Sequence, residues 1–201
     1  MKIRYILIIV TLLFSSFVLN ACKCGACQKQ EETEVPYSVL EKANKFIISK
    51  TGKDFFEKYI SPDFTRTKNL KPNYYMVYRF LMPEKKYVDA TIEFTVDSLG
   101  NVLMDREISG IPEYLAAPES CNYSIDKEKA VSIARHNNLP KGIKEWQAGF
   151  IWSAKYNRYV WHILSVLNEV KVGDTFRGSG EEVMIDPVSG SVLEMNKWNV
   201  R

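Results

Sequence analysis

The side chains with the widest chemical repertoire in this chain are four cysteines, Cys22, Cys24, Cys27 and Cys121, and two histidines, His136 and His162. Cys24-Gly25-Ala26-Cys27 has the spacing of a dithiol redox pair or of half a zinc site. A tetrahedral zinc site needs four ligands. The sequence offers no second C-x-x-C, and both histidines lie far along the chain. The pair is therefore read as a disulfide or as free thiols, with Cys121 a third thiol that could join either one or stay free. His136 falls near the end of a helical pattern, where a protonated imidazole complements the helix dipole. His162 sits in an apolar strand pattern beside Trp161. Neither histidine belongs to an acid–base or nucleophilic constellation, so each is assigned a structural role. The stretch from Gly173-Asp174 to Gly178-Ser179-Gly180 is Gly-rich, but it lacks the Lys-Ser/Thr of a phosphate-binding loop. It is read as a polar loop spanning Asn168–Gly180. Glu181, Glu182 and Asp186 read as solvated or turn carboxylates. The sequence thus predicts no catalytic residue, no metal and no cofactor, and a protein that is not an enzyme.

The N-terminus carries the clearest instruction. Lys2 and Arg4 precede an almost unbroken apolar run from Ile6 to Val18, and a small residue, Ala21, stands just before Cys22. That is the pattern of a secretory signal. The run is shorter than the roughly 20 residues that span a bilayer, which argues against an uncleaved transmembrane anchor. Leu19-Asn20-Ala21-Cys22 resembles the lipobox of bacterial lipoproteins. The resemblance implies a signal peptide over 1–21, lipidation of Cys22 as the first mature residue, and a firm membrane anchor of several acyl chains. Lys23, in place of an inner-membrane-retaining Asp, implies the outer membrane of a diderm bacterium. Residues 22–35 then read as a flexible tether, polar and aperiodic, with Glu31, Glu32 and Glu34 near its end.

Composition sets further bounds. The chain has 201 residues, 27 Lys and Arg against 24 Asp and Glu, and a formal charge of +3. Two of those cations, Lys2 and Arg4, fall in the signal, so the mature chain is nearly neutral. No Lys/Arg run points to nucleic acid, and export excludes it further. An apolar content of 46% fits a foldable globular chain rather than a disordered one.

The elements that must position these residues follow from periodicity. Ser38-x-x-Glu41 has capping-box spacing, and Leu40, Ala43, Phe46 and Ile47 recur at helical spacing up to Gly52. A short helical stretch over Asp54–Tyr59 follows. Tyr74–Met82 and the cleanly alternating Asp89–Val96 read as strands, Asp97–Asn101 as a turn and Val102–Ile108 as the return strand. The order then repeats. Asp126 is the predicted N-cap of a helix bearing Ala130, Ile133 and Ala134, which Asn137–Pro140 ends. Trp146–Ser153, Tyr159–Leu167, Glu181–Asp186 and Ser191–Asn196 are the predicted strands. Two short matches mark the repeat: Glu41-Lys42-Ala43 against Glu128-Lys129-Ala130, and Val96-Asp97-x-x-Gly100-x-Val102-Leu103 against Ile185-Asp186-x-x-x-Gly190-x-Val192-Leu193.

Asp126-x-Glu128-x-Ala130-x-x-x-Ala134, Tyr159-Val160-Trp161-His162-Ile163 and the closing Asp186-x-x-x-Gly190 hairpin together resemble a PepSY domain. The resemblance covers roughly Ser124 to Trp198, and residues 36–111 resemble it more loosely. It implies an α+β protein of two tandem helix-plus-antiparallel-sheet units, over 36–118 and 119–201. It also implies binding, inhibition or chaperoning in the cell envelope, with an envelope protein as partner. Trp146, Phe150 and Trp152 share one face by period two, which offers them either as core or as a partner-binding surface. The chief alternative is an immunity protein with an NTF2-like fold, one helix-covered, continuous cone-shaped sheet that neutralises a toxin.

Overall fold

A computed structural model describes residues 33–200, Asp174 excepted. The expected signal peptide, most of the tether, and Cys22, Cys24 and Cys27 lie outside the described residues. The architecture is α+β, with three α-helices and two antiparallel sheets.

Helix α1 spans Tyr37–Thr51 and buries Val39, Ala43, Ile47 and Thr51, one residue every fourth position. The expected capping box does not form. Ser38 already lies in the first turn, and the N-cap is Pro36, whose carbonyl takes the amides of Val39 and Leu40. Gly52, at φ +79°, ends the helix by donating its amide to Ile48, and α2 (Lys53–Tyr59) follows at once. Two short edge strands, β1 (Ile60–Pro62) and β2 (Lys68–Leu70), pair with opposite ends of β3 (Asn73–Leu81). Between them the Thr67 hydroxyl takes over the ladder by accepting the Val77 amide at 3.1 Å. On its other side β3 pairs with β4 (Asp89–Val96) along its whole length, setting Met76 beside Phe94 and Tyr78 beside Ile92. These side chains, with Phe80 and Val96, form the core beneath α1.

The predicted return strand over Val102–Ile108 shrinks to two bridges, Val96 to Val102 and Glu93 to Ser109. A turn at Leu103–Arg106 lifts the intervening chain off the edge of β4. Gly110, at φ +79°, passes so close to β4 that a Cβ would stand 2.1 Å from the Thr91 carbonyl.

Asp126 caps α3 (Lys127–His136) as expected, its carboxylate accepting the Lys129 amide at 2.8 Å. Ala130 and Ala134 let this helix lie close on the second sheet, a meander of β5 (Gln147–Ser153), β6 (Arg158–Val172), β7 (Thr175–Ile185) and β8 (Val192–Val200). The sequence-predicted loop over Asn168–Gly180 is instead the far part of the β6–β7 hairpin, paired out to Val172 and Thr175. Gly173, at φ +62°, supplies the tight turn. Gly178 and Gly180 are strand residues beneath the Trp198 indole, and a Cβ on Gly180 would come within 1.9 Å of the Ser165 carbonyl.

The two sheets meet through aromatic rings. Tyr159 of β6 stacks on Phe150 with centroids 5.0 Å apart, and it also touches Phe80 of the first core. Its hydroxyl donates to the Gly110 carbonyl at 2.8 Å. Tyr87 bridges to Phe150 and Trp161, and Tyr123 to Phe80 and Phe150.

Candidate functional site

Among the described residues, both histidines and both turn aspartates have structural partners. His136 donates Nδ1–H to the Ser132 carbonyl at 2.7 Å, on the last turn of α3. His162 projects from the sheet face opposite α3 and donates Nε2–H to Glu182 at 2.8 Å, both side chains three-quarters or more buried. Asp186 opens the β7–β8 turn. Its Oδ1 accepts the amides of Val188 and Ser189, and its Oδ2 accepts Arg158 at 3.0 Å. Burial alone would raise this carboxyl, but the Ser189 and Val188 amides and the Arg158 guanidinium outweigh it and hold it below the ordinary range. Asp97 makes the same turn in the first half, accepting the amides of Leu99 and Asn101. Those bonds, that of Asn101 first, keep its carboxyl low as well. Cys121 is a free thiol, 5% exposed, which burial pushes up and makes a poor nucleophile. No group of three or more His, Cys, Asp and Glu placed to hold a metal occurs among the described residues.

The aromatic trio separates. Phe150 and Trp152 face inward, where Phe150 stacks on Tyr159 and Trp152 meets the same ring edge-on at 5.2 Å. Both pack against the first core. Trp146 precedes β5 and goes elsewhere. Its indole donates to the Pro140 carbonyl at 3.0 Å and packs with Leu139 and Ala134 in the second core, leaving part of the ring open.

That open edge fronts the largest of the described concavities, a groove of about 840 Å³ between α3 and the segment from Leu139 to Trp146. One wall is a stripe of α3, Lys127, Val131 and Arg135, spaced by four so that they share a face. Leu139, Ile143 and Trp146 complete the apolar lining, and Lys141, Lys144 and Glu145 stand along the other side. Ile143 is 63% exposed at the mouth of the groove. The segment is fixed from below. Pro140 accepts from both Trp146 and Ser165, Ile143 donates its amide to Val166, and Gly142 lies so close that a Cβ would stand 2.5 Å from the Val166 carbonyl. Lys144 pairs with Glu169 at 2.8 Å. Lys127, Arg135 and Lys141 have no acidic partner among the described residues. Sequence reasoning missed this groove. Its signal was the basic and apolar alternation of Lys141, Ile143 and Lys144 directly after a helix whose polar face carries Lys127 and Arg135.

Compared with protein-family models, the chain matches none. No curated protein matches it either.

Proposed function

We propose that this protein is a lipid-anchored, exported binding or inhibitory module of the bacterial cell envelope, held to the membrane through Cys22 and built of two PepSY-like units. The duplication is supported by architecture. The halves share a helix, edge pairing, two long paired strands, an Asp turn and a return through a valine, Val102 to Val96 and Val192 to Ile185, with α2 and a split edge strand, β1 and β2, found in the first alone. In each turn a positive-φ glycine rests on the helix of its own half, Gly100 on Val39 and Lys42, Gly190 on Ile133. Two distinct sheets do not favour the continuous cone of an NTF2-like fold.

The observation that carries the binding reading is the α3 groove. It is a partly apolar concavity, pinned by backbone bonds, whose cations Lys127, Arg135 and Lys141 have no acidic partner among the described residues, in a molecule whose histidines and turn carboxylates are engaged in structural contacts. Anchoring adds to it by confining the module to a surface where its effective concentration is high.

Two experiments test the reading. Cys22→Ser is expected to abolish acylation and release the chain from membranes; a variant still processed and membrane-held would end the lipoprotein assignment. A photo-crosslinking amino acid placed at Ile143, in the groove, and at Ile151, on the opposite face of the second sheet, reports partners in intact cells. A discrete protein adduct at either position supports a binding module, and no adduct at both overturns it.

A further inference from the structure

We infer that the α3 groove receives an extended, acidic segment of a partner protein that anchors an apolar side chain against Trp146. This inference rests on the binding-module reading and names the chemistry of the partner. Charge comes first. The lining carries Lys127, Arg135, Lys141 and Lys144 against the single carboxylate of Glu145. Glu169 neutralises only Lys144. The nearly balanced chain therefore concentrates positive charge at its largest concavity, and a ligand with carboxylates is complementary to it.

Shape comes next. Lys127 and Arg135 stand eight residues apart on one helix, about 12 Å at 1.5 Å per residue. That span matches about four residues of extended chain, so acidic groups some four positions apart in a strand meet both cations. Beside them Val131, Leu139, Ile143 and Trp146 form the apolar part of the lining, a seat for an apolar side chain. An aromatic or leucine anchor in such a seat, ringed by charges, is the usual distribution of binding energy at a protein interface. The seat is already formed, because the Pro140 carbonyl holds both Trp146 and Ser165. Little ordering is lost on binding. The groove is partly open to solvent, as a surface-bound peptide requires.

The test uses the full-length chain in detergent micelles and a fluorescein-labelled probe, acetyl-Glu-Glu-Leu-Phe-Glu-Asp-Glu-amide, read by anisotropy. Two control peptides replace the acids with lysine or the Leu-Phe pair with serine. The acidic apolar probe is expected to bind best. The double substitution Lys127→Glu with Arg135→Glu should weaken it about tenfold, since two rim attractions become repulsions. Trp146→Ala should weaken the probe but not its serine control, and rising salt should weaken the acidic peptides alone. Lys68→Glu, at an exposed cation of the other sheet, is the charge control and should change nothing. Thermal melts confirm that each variant is folded. Equal binding of the lysine peptide, or indifference to the double substitution, overturns the inference. So does binding of phosphatidylglycerol vesicles, with no peptide binding, that the double substitution abolishes, since the site would then be for lipid. If cellular adducts form at Ile143 or Ile151 while the peptides show no selectivity, the binding module stands and this partner chemistry falls.

Discussion

Tyr159→Phe removes one oxygen and tests whether the two halves fold as one body. The ring is 2% exposed and stacks on Phe150 at 5.0 Å, with Trp152 at 5.2 Å and Phe80 at 5.5 Å. Its hydroxyl, pushed by burial well above the ordinary tyrosine range, stays protonated and donates to the Gly110 carbonyl at 2.8 Å. Phenylalanine keeps the rings packed but leaves that carbonyl without this donor, which costs about 1–2 kcal/mol. For a domain of this size the melting temperature should fall by about 2–8 °C. Tyr159→Ala deletes the ring too and should cost about 3–5 kcal/mol. The assay is urea denaturation of the purified full chain, followed in parallel by far-ultraviolet circular dichroism and tryptophan fluorescence. All four tryptophans, Trp146, Trp152, Trp161 and Trp198, lie in the second half, whereas dichroism reports both. Because Tyr159 belongs to β6 yet packs in the first core, both probes should follow one transition and shift together. The reasoning is refuted if wild type shows two separated transitions, or if Tyr159→Ala moves fluorescence and leaves the dichroism midpoint in place.

The positive-φ glycines rank by surroundings. Gly100→Ala should cost about 3 kcal/mol in denaturant titrations, because left-handed strain is joined by a Cβ 2.9 Å from the Val39 Cα. Gly190→Ala should cost about 1–2 kcal/mol, since its neighbours are the movable ends of Ile133 and Ile125. Gly173→Asn, with nothing near its Cβ, should stay within about 0.5 kcal/mol, and equal losses at all three would refute the ranking. Asp186→Asn keeps an oxygen for the turn amides but sets an amide group against Arg158, and should cost about 1–2 kcal/mol at neutral pH. The folded carboxyl is depressed, so its contribution is full above the unfolded pKa of about 4 and lost as pH falls through the lower folded value. The gap between wild type and variant should therefore close below about pH 4 in acid titrations, and a gap independent of pH would contradict the depressed carboxyl.

Period and capping made much of the fold legible. The alternation of Ala90, Ile92, Phe94 and Val96 marked the inward face of β4, and all but Ala90 are fully buried. Asp126 read correctly as a cap, and both Asp-Gly turns formed. Ser38 misled because the helix starts one residue before it, at Tyr37, with Pro36 already at the N-cap. Asn168–Gly180 read as a loop because it is polar and Gly-rich, although Val170 and Val172 alternate with Glu169 and Lys171. Its register is set by backbone pairing on β7 and by the Gly173 turn, and the dipeptide Gly173-Asp174 was the local clue. The groove was hidden for another reason. Its two walls are contiguous in sequence, but which side chains face each other depends on where Pro140 docks against Ser165, a tertiary contact no period records. The even spacing of Trp146, Phe150 and Trp152 suggested one shared face. Trp146 instead precedes the strand and turns toward Pro140.

A difference between the halves explains why the largest of the described concavities lies in the second. In the first, the chain leaving α1 continues as α2, which folds Phe55 against Phe80 and Phe56 against Tyr78, so the space beside the helix is filled by the protein's own rings. In the second, α3 ends at Asn137 and Asn138, the latter in the left-handed region at φ +62°, and the chain runs to β5 without a second helix. The segment is pinned at Pro140 and Ile143 but brings no aromatic pair back over Val131. What α2 covers in the first half is left open in the second, with Ile143 exposed and Lys127, Arg135 and Lys141 without an acidic partner among the described residues. In the proposed reading, the half that α2 covers serves the core, and the open second half is the one that receives a partner.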